Sequence, residues 1–415
     1  MARKKRSKLK ISLETVLVLL VLALIAAIVC YFAVPSFKKT VDDYLQSVFN
    51  KDDHGTNAAK GESELRVHYL DVGQGDSVLI EFPDDTNMLI DSGDRNNDTA
   101  EYIVDYLSGL DIEVLDYLML THTDSDHVEN MVQVLEAFEV EKAYVPYIEE
   151  GVITTKVYAN FLAALGKETY TAPDGERKAC EVVYSEMGEV IDSENETDDF
   201  FMAFLSPLDK DNPEGEYWEL NHAKSPSAAQ KNAVSPITYL EYMGKKIVFT
   251  GDVVGEPAER VMENYEAGVY NNMFSDGEGG YYSVNFEGGV DVYKAAHHGS
   301  ATHGSNSAAF IEFMQPKYAV VCLDAETAAN KGWEMPDADV LARFENVGAA
   351  VYRTDVNGTV VVTIEPEEEK EISLFLTAQD ETVNDGGLEE AAAYAVSKRK
   401  IKVNFVEGSL NRLTI

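Results

Sequence analysis

The chain has 415 residues, 45% of them hydrophobic, and a formal charge of −39 from 34 Lys and Arg against 73 Asp and Glu. At roughly 150 residues per domain this suffices for a large core and about two to three domains; it excludes disorder over most of the length and a general phosphate-neutralising surface. Only three cysteines occur, Cys30, Cys180 and Cys322, with no CxxC pair, which excludes a disulfide scaffold and a thiolate zinc site. Any metal must be held by imidazoles and carboxylates. Cys180 and Cys322 can form one bridge or stay as two buried thiols.

Arg3, Lys4, Lys5, Arg6, Lys8 and Lys10 precede an uninterrupted apolar run over residues 16–34. At ~1.5 Å per residue that run matches the ~30 Å hydrocarbon core of a bilayer. Residues 1–34 are therefore expected to be a basic cytoplasmic tip and one transmembrane helix. The positive-inside rule puts the remainder outside the cytoplasmic membrane, as a single-pass protein with an extracytoplasmic C-terminal domain. A cleaved signal peptide is the alternative, but the run is longer than a usual signal core and no small-x-small site follows it. The polar residues 35–64 lack an apolar period and read as a stalk.

The folded part is expected to begin at Leu65. Strand patterns follow at 65–70, 77–82 and 87–90, then a helix over 99–107, a buried strand at 116–121 and a helix over 128–139. A second set of strands reads at 201–207, 236–243, 245–252, 290–296, 318–323, 350–354 and 359–364. Two strand-rich halves with helices between them predict sheet packed on sheet, each covered by helices. Residues 192–199 and 209–230 read as surface loops. Residues 366–415 form an acidic extension with one helix-like stretch at 388–396.

Three strand ends carry the chemistry. After the strand at 116–121 comes His122-Thr123-Asp124-Ser125-Asp126-His127, with four potential ligands in six residues. Imidazole nitrogens and carboxylate oxygens suit zinc, or a harder ion such as manganese, and their alternation can serve two metal sites. A plain helix cap by Asp124 or Ser125 needs one such residue rather than four. The second strand end is Thr250-Gly251-Asp252, and the third is Ala296-His297-His298-Gly299-Ser300. A carboxylate at a strand end can bridge two cations, and a further imidazole can complete the second site. Alone, the Gly-Asp pair is an ordinary turn.

These motifs, together with Asp71-Val72-Gly73-Gln74-Gly75-Asp76-Ser77, Leu89-Ile90-Asp91-Ser92-Gly93 and Tyr352-Arg353-Thr354-Asp355, resemble the metallo-β-lactamase superfamily. Within it, Asp124 in the second ligand position is similar to the hydrolase domain of ComEC-type competence proteins. The resemblance covers about residues 65–365. It implies an α/β, four-layer αβ/βα sandwich with two divalent ions, zinc or alternatively manganese. His122 and Asp124 would serve one ion, Asp126 and His127 the other, and Asp252 would bridge them. His297 would complete the second site, with His298 as runner-up.

The chain departs from the family pattern in places. Thr123 stands where relatives favour Pro, Glu129-Asn130 replaces a glycine pair, and Met335 stands where they tend to show His before Pro336. The ligand expected between the first motif and Asp252 is open among Asn232, Ser235 and, in the preceding insertion, His222. The multi-pass channel that accompanies the domain in ComEC proteins does not fit a chain with one spanning segment.

The resemblance implies metal-activated hydrolysis of phosphodiesters, with Asp126 orienting the attacking water and His298, Ser300 or Arg353 stabilising developing negative charge. The acidic composition disfavours a long polyanion unless Arg353, Lys294 and Lys331 form a local positive rim. A nucleotide, short oligonucleotide or other small phosphodiester then stands as an equal candidate beside DNA, and other membrane or competence-type proteins are possible partners. Hydrolysis of a lactone or β-lactam, and metal-site decay to a non-catalytic binding protein, are the alternatives. The segment 270–289, with Tyr281, Tyr282 and Phe286, reads either as an aromatic lid or as loop packing.

Overall fold

The structure, a computed structural model, describes residues 60–366 apart from 62, 95–97, 194–198 and 278, and the backbone of three later strands. Residues 16–34 lie outside the described residues. Among the described residues no helix is long and apolar enough to cross a membrane.

Two large sheets form the centre. The strands of the first half are β1 (Leu65–Tyr69), β2 (Val78–Glu81), β3 (Asn87–Ile90), β4 (Val114–Met119), β5 (Glu139–Val145), the hairpin β6 (Thr169–Thr171) and β7 (Arg177–Ala179), and β8 (Glu181–Tyr184). The middle of the chain contributes β9 (Val190–Asp192), β10 (Phe200–Phe204), β11 (Thr238–Tyr242), β12 (Lys245–Phe249), β13 (Val292–Lys294), β14 (Tyr318–Val321) and β15 (Ala350–Arg353). Then follow β16 (Val360–Glu365), β17 (Ser373–Ala378), β18 (Val403–Val406) and β19 (Leu410–Thr414). One sheet runs β18-β19-β17-β16-β1-β2-β3-β4-β5-β8, the other β15-β14-β13-β12-β11-β10-β9. The larger sheet thus continues past residue 365: β17 pairs antiparallel with β16, and β19 with β17. The stretch 388–396 lies outside the described residues.

Alternation along each strand sorts side chains between layers. Val78 and Ile80 on β2 and Met88 and Ile90 on β3 face the core between the sheets, while Leu79 and Leu89 face the other side. Phe200, Met202 and Phe204 on β10 meet that central core, and Phe201 and Ala203 point away. Phe82 stacks on Phe200 across the layers at 4.5 Å. Helices Thr99–Gly109, Met131–Ala137 and Lys156–Leu165 cover the first sheet, and Gly255–Glu266, Ala308–Met314 and Ala338–Val347 the second. This is the αβ/βα four-layer order expected from the motifs.

The chain departs from its sequence pattern in three places. The helix expected over 128–139 is two, Ser125–Val128 and Met131–Ala137, broken at Glu129 and Asn130. The expected loop 209–230 holds the helix Glu216–His222, whose fully buried Tyr217 donates to the Ser185 carbonyl at 2.7 Å. Seven residues are too few for a helical period to stand out. β8, almost wholly exposed at a sheet edge, has no apolar alternation to betray it.

Candidate metal centre

The parallel strands β3, β4, β12, β13 and β14 all end at one edge, where open α/β sheets hold their ligands. β3 leads into Asp91, β4 into the loop 121–127, β12 into Gly251-Asp252 and β13 into His297-His298. Backbone bonds lash these loops together. Asp91 N–H donates to the Met119 carbonyl at 2.9 Å, Asp76 N–H to Asp126 at 3.2 Å, and His297 N–H to Gly251 at 3.1 Å. At Gly75, φ is +112° and a Cβ would stand 2.0 Å from the Asp126 carbonyl oxygen, so only glycine permits the approach. His297 and His298 both take left-handed φ, 48° and 53°, a local strain of the kind concentrated at functional sites.

Asp252 is the hub. His127 Nε2 stands 3.3 Å from its Oδ1, and His122, His297 and His298 Nε2 stand 3.7, 3.8 and 3.5 Å from its Oδ2. His298 Nε2 also lies 3.2 Å from Asp126 Oδ2. The other imidazole nitrogens of three of these rings are committed. His127 Nδ1 bonds Asp91 at 2.7 Å, His298 Nδ1 the Cys322 carbonyl at 2.9 Å, and His122 Nδ1 the Thr121 hydroxyl at 3.1 Å. Those contacts select tautomers with Nε2 free as a ligand atom. The Nε2 atoms of His122, His127 and His298 and Oδ1 of Asp252 are buried without a hydrogen-bond partner. Buried polar atoms so converged are costly unless something binds them. The donor set fits a divalent cation.

Charge inside the cluster balances through protons when no cation is present. Burial alone would lower His127 and His298, but the facing carboxylates, Asp252 foremost, outweigh it and raise both well above the ordinary histidine range. Burial raises Asp126 and Asp252, yet the neighbouring imidazoles hold both far below the usual carboxylate range. His122 and His297 are lowered, first by burial.

Asp76, His127, Asp252 and His298 form a tight group among the described residues, each with a ligand atom within 4.8 Å of the others. Asp76 nevertheless meets the two rings on their Nδ1 side, at 3.5 Å from His298 and 3.9 Å from His127. Its other partner is the buried ammonium of Lys294. We therefore read Asp76 as support behind the rings and the Nε2 side, facing Asp126 and Asp252, as the cation side.

Several expected residues have other partners or neighbours. His298, rather than His297, joins the tight group; His297 is the more exposed ring, at 18% against 1%. The Asp124 carboxylate is held by Lys231. Arg353, expected to stabilise charge, is clamped at Nε and Nη2 by Asp355, at 2.9 and 2.6 Å, because its strand end turns at once into that residue. The positive rim expected from Arg353, Lys294 and Lys331 is consumed likewise: each of the three pairs with an aspartate. His222 lies on an exposed helix end, stacked on Trp218, and Met335 packs into the core of the second half.

The supporting residues were legible only as motif letters. Asp91 accepts from Thr121 N–H and Oγ1 as well as His127. Asn130, standing in place of a glycine, donates its amide to the Ser92 and Asp94 carbonyls. Within 270–289, Tyr282 stacks on Phe201 at 4.6 Å and Phe286 is buried against Tyr239 and Tyr265, while Tyr281 is exposed. Cys180 and Cys322 are free thiols.

The metallo-beta-lactamase superfamily profile matches residues 70–193, which include Asp76, Asp91 and the whole His122–His127 loop. Over this stretch the chain is similar to the metallo-β-lactamase superfamily. ComE operon protein 3 of Bacillus subtilis (strain 168) is 26% identical to it over 313 residues, 72% of this chain and 33% of that protein. The chain thus spans about a third of the length of this relative. Both findings agree with a ComEC-like hydrolase of the metallo-β-lactamase fold. Among solved structures, a Cronobacter sakazakii metallo-β-lactamase motif mutant is 13% identical, covering 55% of this chain and 75% of that one, with TM-score 0.28. Metallo-β-lactamase MIM-1 of Novosphingobium pentaromativorans is 12% identical, covering 71% and 96%, with TM-score 0.27. The superfamily match and the buried ligand cluster together support a metal-dependent hydrolase.

Proposed function

We propose that the chain hydrolyses small phosphodiesters, nucleotides or short oligonucleotides, outside the cytoplasmic membrane, anchored by residues 16–34. The observation that carries the chemistry is the convergence of three unpaired imidazole Nε2 atoms on Asp252. The chemistry such a cation supplies when bound is activation of a water and polarisation of the scissile group. The chain's own residues do the rest. Asp91, Thr121 and the Cys322 carbonyl hold the ring orientations, and Asp126, 3.2 Å from His298 Nε2, is positioned to orient a water.

The rim beside the centre supports a nucleotide. Trp333 is 41% exposed and carries the Lys331 ammonium 4.9 Å from its ring centroid. Lys331 in turn pairs with Asp94 at 2.7 Å, on the loop after Asp91. The segment following Trp333 abuts the histidine turn: a Cβ on Gly299 would stand 2.7 Å from Pro336 Cβ, and Asp337 accepts from Ala301 N–H at 2.6 Å. An exposed indole there suits a base, which aromatic rings bind by stacking. The charge of −39 disfavours long duplexes. The anchor rests on the 16–34 run with six basic residues before it.

Turnover of bis-p-nitrophenyl phosphate, dinucleotides, labelled DNA and a chromogenic β-lactam by the metal-loaded protein tests the substrate class. Cleavage of the β-lactam alone would sink it. Protease accessibility in intact cells tests the topology.

A further inference from the structure

We propose that the side-chain oxygen of Asn232 is the missing ligand of the first cation position, the one built on His122 and Asp124, and that this position prefers a harder ion than the second. The proposal rests on the metal-centre reading above and assigns a residue within it. Asn232 is 2% exposed, and its Oδ1 is buried without a hydrogen-bond partner. A buried amide oxygen left so is unfavourable unless something binds it.

Its neighbours touch the centre on both sides. Asn232 lies in the last turn of the helix Ala228–Ala233, whose start is locked by a reciprocal Ser227 and Gln230 cap. Lys231, just before it, holds Asp124. Ser235, whose N–H donates to the Asn232 carbonyl at 3.0 Å, accepts the Asp252 N–H on its hydroxyl at 3.2 Å. Ser235 and Thr121, the residue before His122, both pack against Gly251, where a Cβ would meet them at 3.0 and 3.1 Å. The short run 231–235 therefore spans the distance from Asp124 to Asp252, with Asn232 inside it. The alternatives have other partners: the Ser235 hydroxyl already accepts the Asp252 N–H, His222 is stacked on Trp218, and Glu241, the remaining carboxylate between residues 223 and 250, is bonded by the Tyr239 hydroxyl.

The two positions then differ in chemistry. The first offers one imidazole against three oxygens, from Asp124, Asn232 and Asp252; the second offers His127 and His298 with Asp126 and Asp252. Amide and carboxylate oxygens suit manganese or magnesium, and imidazoles suit zinc. Lys231 competes with a cation for Asp124, so the first position is the weaker one.

The test is manganese binding to the metal-stripped full-length protein in detergent, followed by electron paramagnetic resonance and metal analysis without substrate. Wild type is expected to take two ions of unequal affinity. Asn232→Ala should weaken the looser ion at least tenfold and leave the tighter one, Asn232→Asp should keep both, and Lys231→Ala should tighten the looser ion. Should Asn232→Ala fail to fold, Asn232→Asp and Lys231→Ala decide: loss of the looser ion in the first, or no tightening in the second, overturns the assignment. Equal binding by wild type and Asn232→Ala overturns it while leaving the metal centre intact. No binding by wild type overturns the metal-centre reading itself.

Discussion

The Asp91 carboxylate and the His127 imidazole, 36 residues apart in the chain, meet at 2.7 Å with neither exposed to solvent. That bond sets which nitrogen of His127 faces Asp252, since the proton on Nδ1 leaves Nε2 as the free lone pair. Asp91 itself adopts φ 60°, a conformation few non-glycine residues take. Asp91→Asn keeps the shape but weakens the acceptor. It is expected to lower metal affinity by about 10–100-fold, read by competition with a chromogenic chelator. Unchanged affinity would mean that packing alone orients the ring.

Lys294 and Asp76 form an ion pair with both side chains at least 97% buried. Burial alone would lower the lysine, but Asp76 outweighs it and raises it above the ordinary value. Removing one partner of such a pair leaves an uncompensated buried charge, a loss of about 3–5 kcal/mol. Lys294→Met should therefore shift urea unfolding by that order, and the double variant with Asp76→Leu should recover much of it. Additive losses in the double variant would contradict the coupling.

Glu81 lies 2.7 Å from His68 Nε2, and the other ring nitrogen meets the Tyr106 hydroxyl at 2.8 Å. Burial would raise this carboxyl, but His68, with Arg66 and Lys60 behind it, outweighs burial and holds Glu81 below its ordinary 4.5. A carboxyl depressed in the folded state adds stability that is present above 4.5 and disappears as pH falls through the lowered value. Urea midpoints measured from neutral to acidic pH should show a shallower acid limb for Glu81→Gln than for wild type. Identical limbs would remove Glu81 from the acid response.

Trp333 should report on substrate. If a base stacks there, Trp333→Ala loses about 1–3 kcal/mol of binding. Its KM for a dinucleotide should rise by roughly 5- to 150-fold on that scale, with little change for a phosphodiester that carries no aromatic ring. Equal effects on both substrates would assign Trp333 to the architecture of the turn.

Much of this molecule is local and so was written in the chain. Near-continuous apolar runs mark β2, β3 and β10 because both of their faces meet apolar layers, while β1 alternates Leu65, Val67 and Tyr69 with Arg66 and His68. The ligand residues stand out because imidazoles and carboxylates crowd the ends of buried strands, where caps and turns need far fewer. The edge strand β8 and the seven-residue helix at 216–222 left no such trace, being respectively too exposed and too short.

Tertiary structure decided the allegiances among those residues. Adjacent in sequence, His297 and His298 are chemically alike there, and only the fold gives one the Cys322 carbonyl behind it and Asp126 before it. Composition could count Lys294, Lys331 and Arg353 as positive charge, yet each meets an aspartate that the folded backbone brings within reach. Side-chain identity announces what a residue is able to bind; which partner it gets depends on where distant strands end, and that is a property of the assembled sheets.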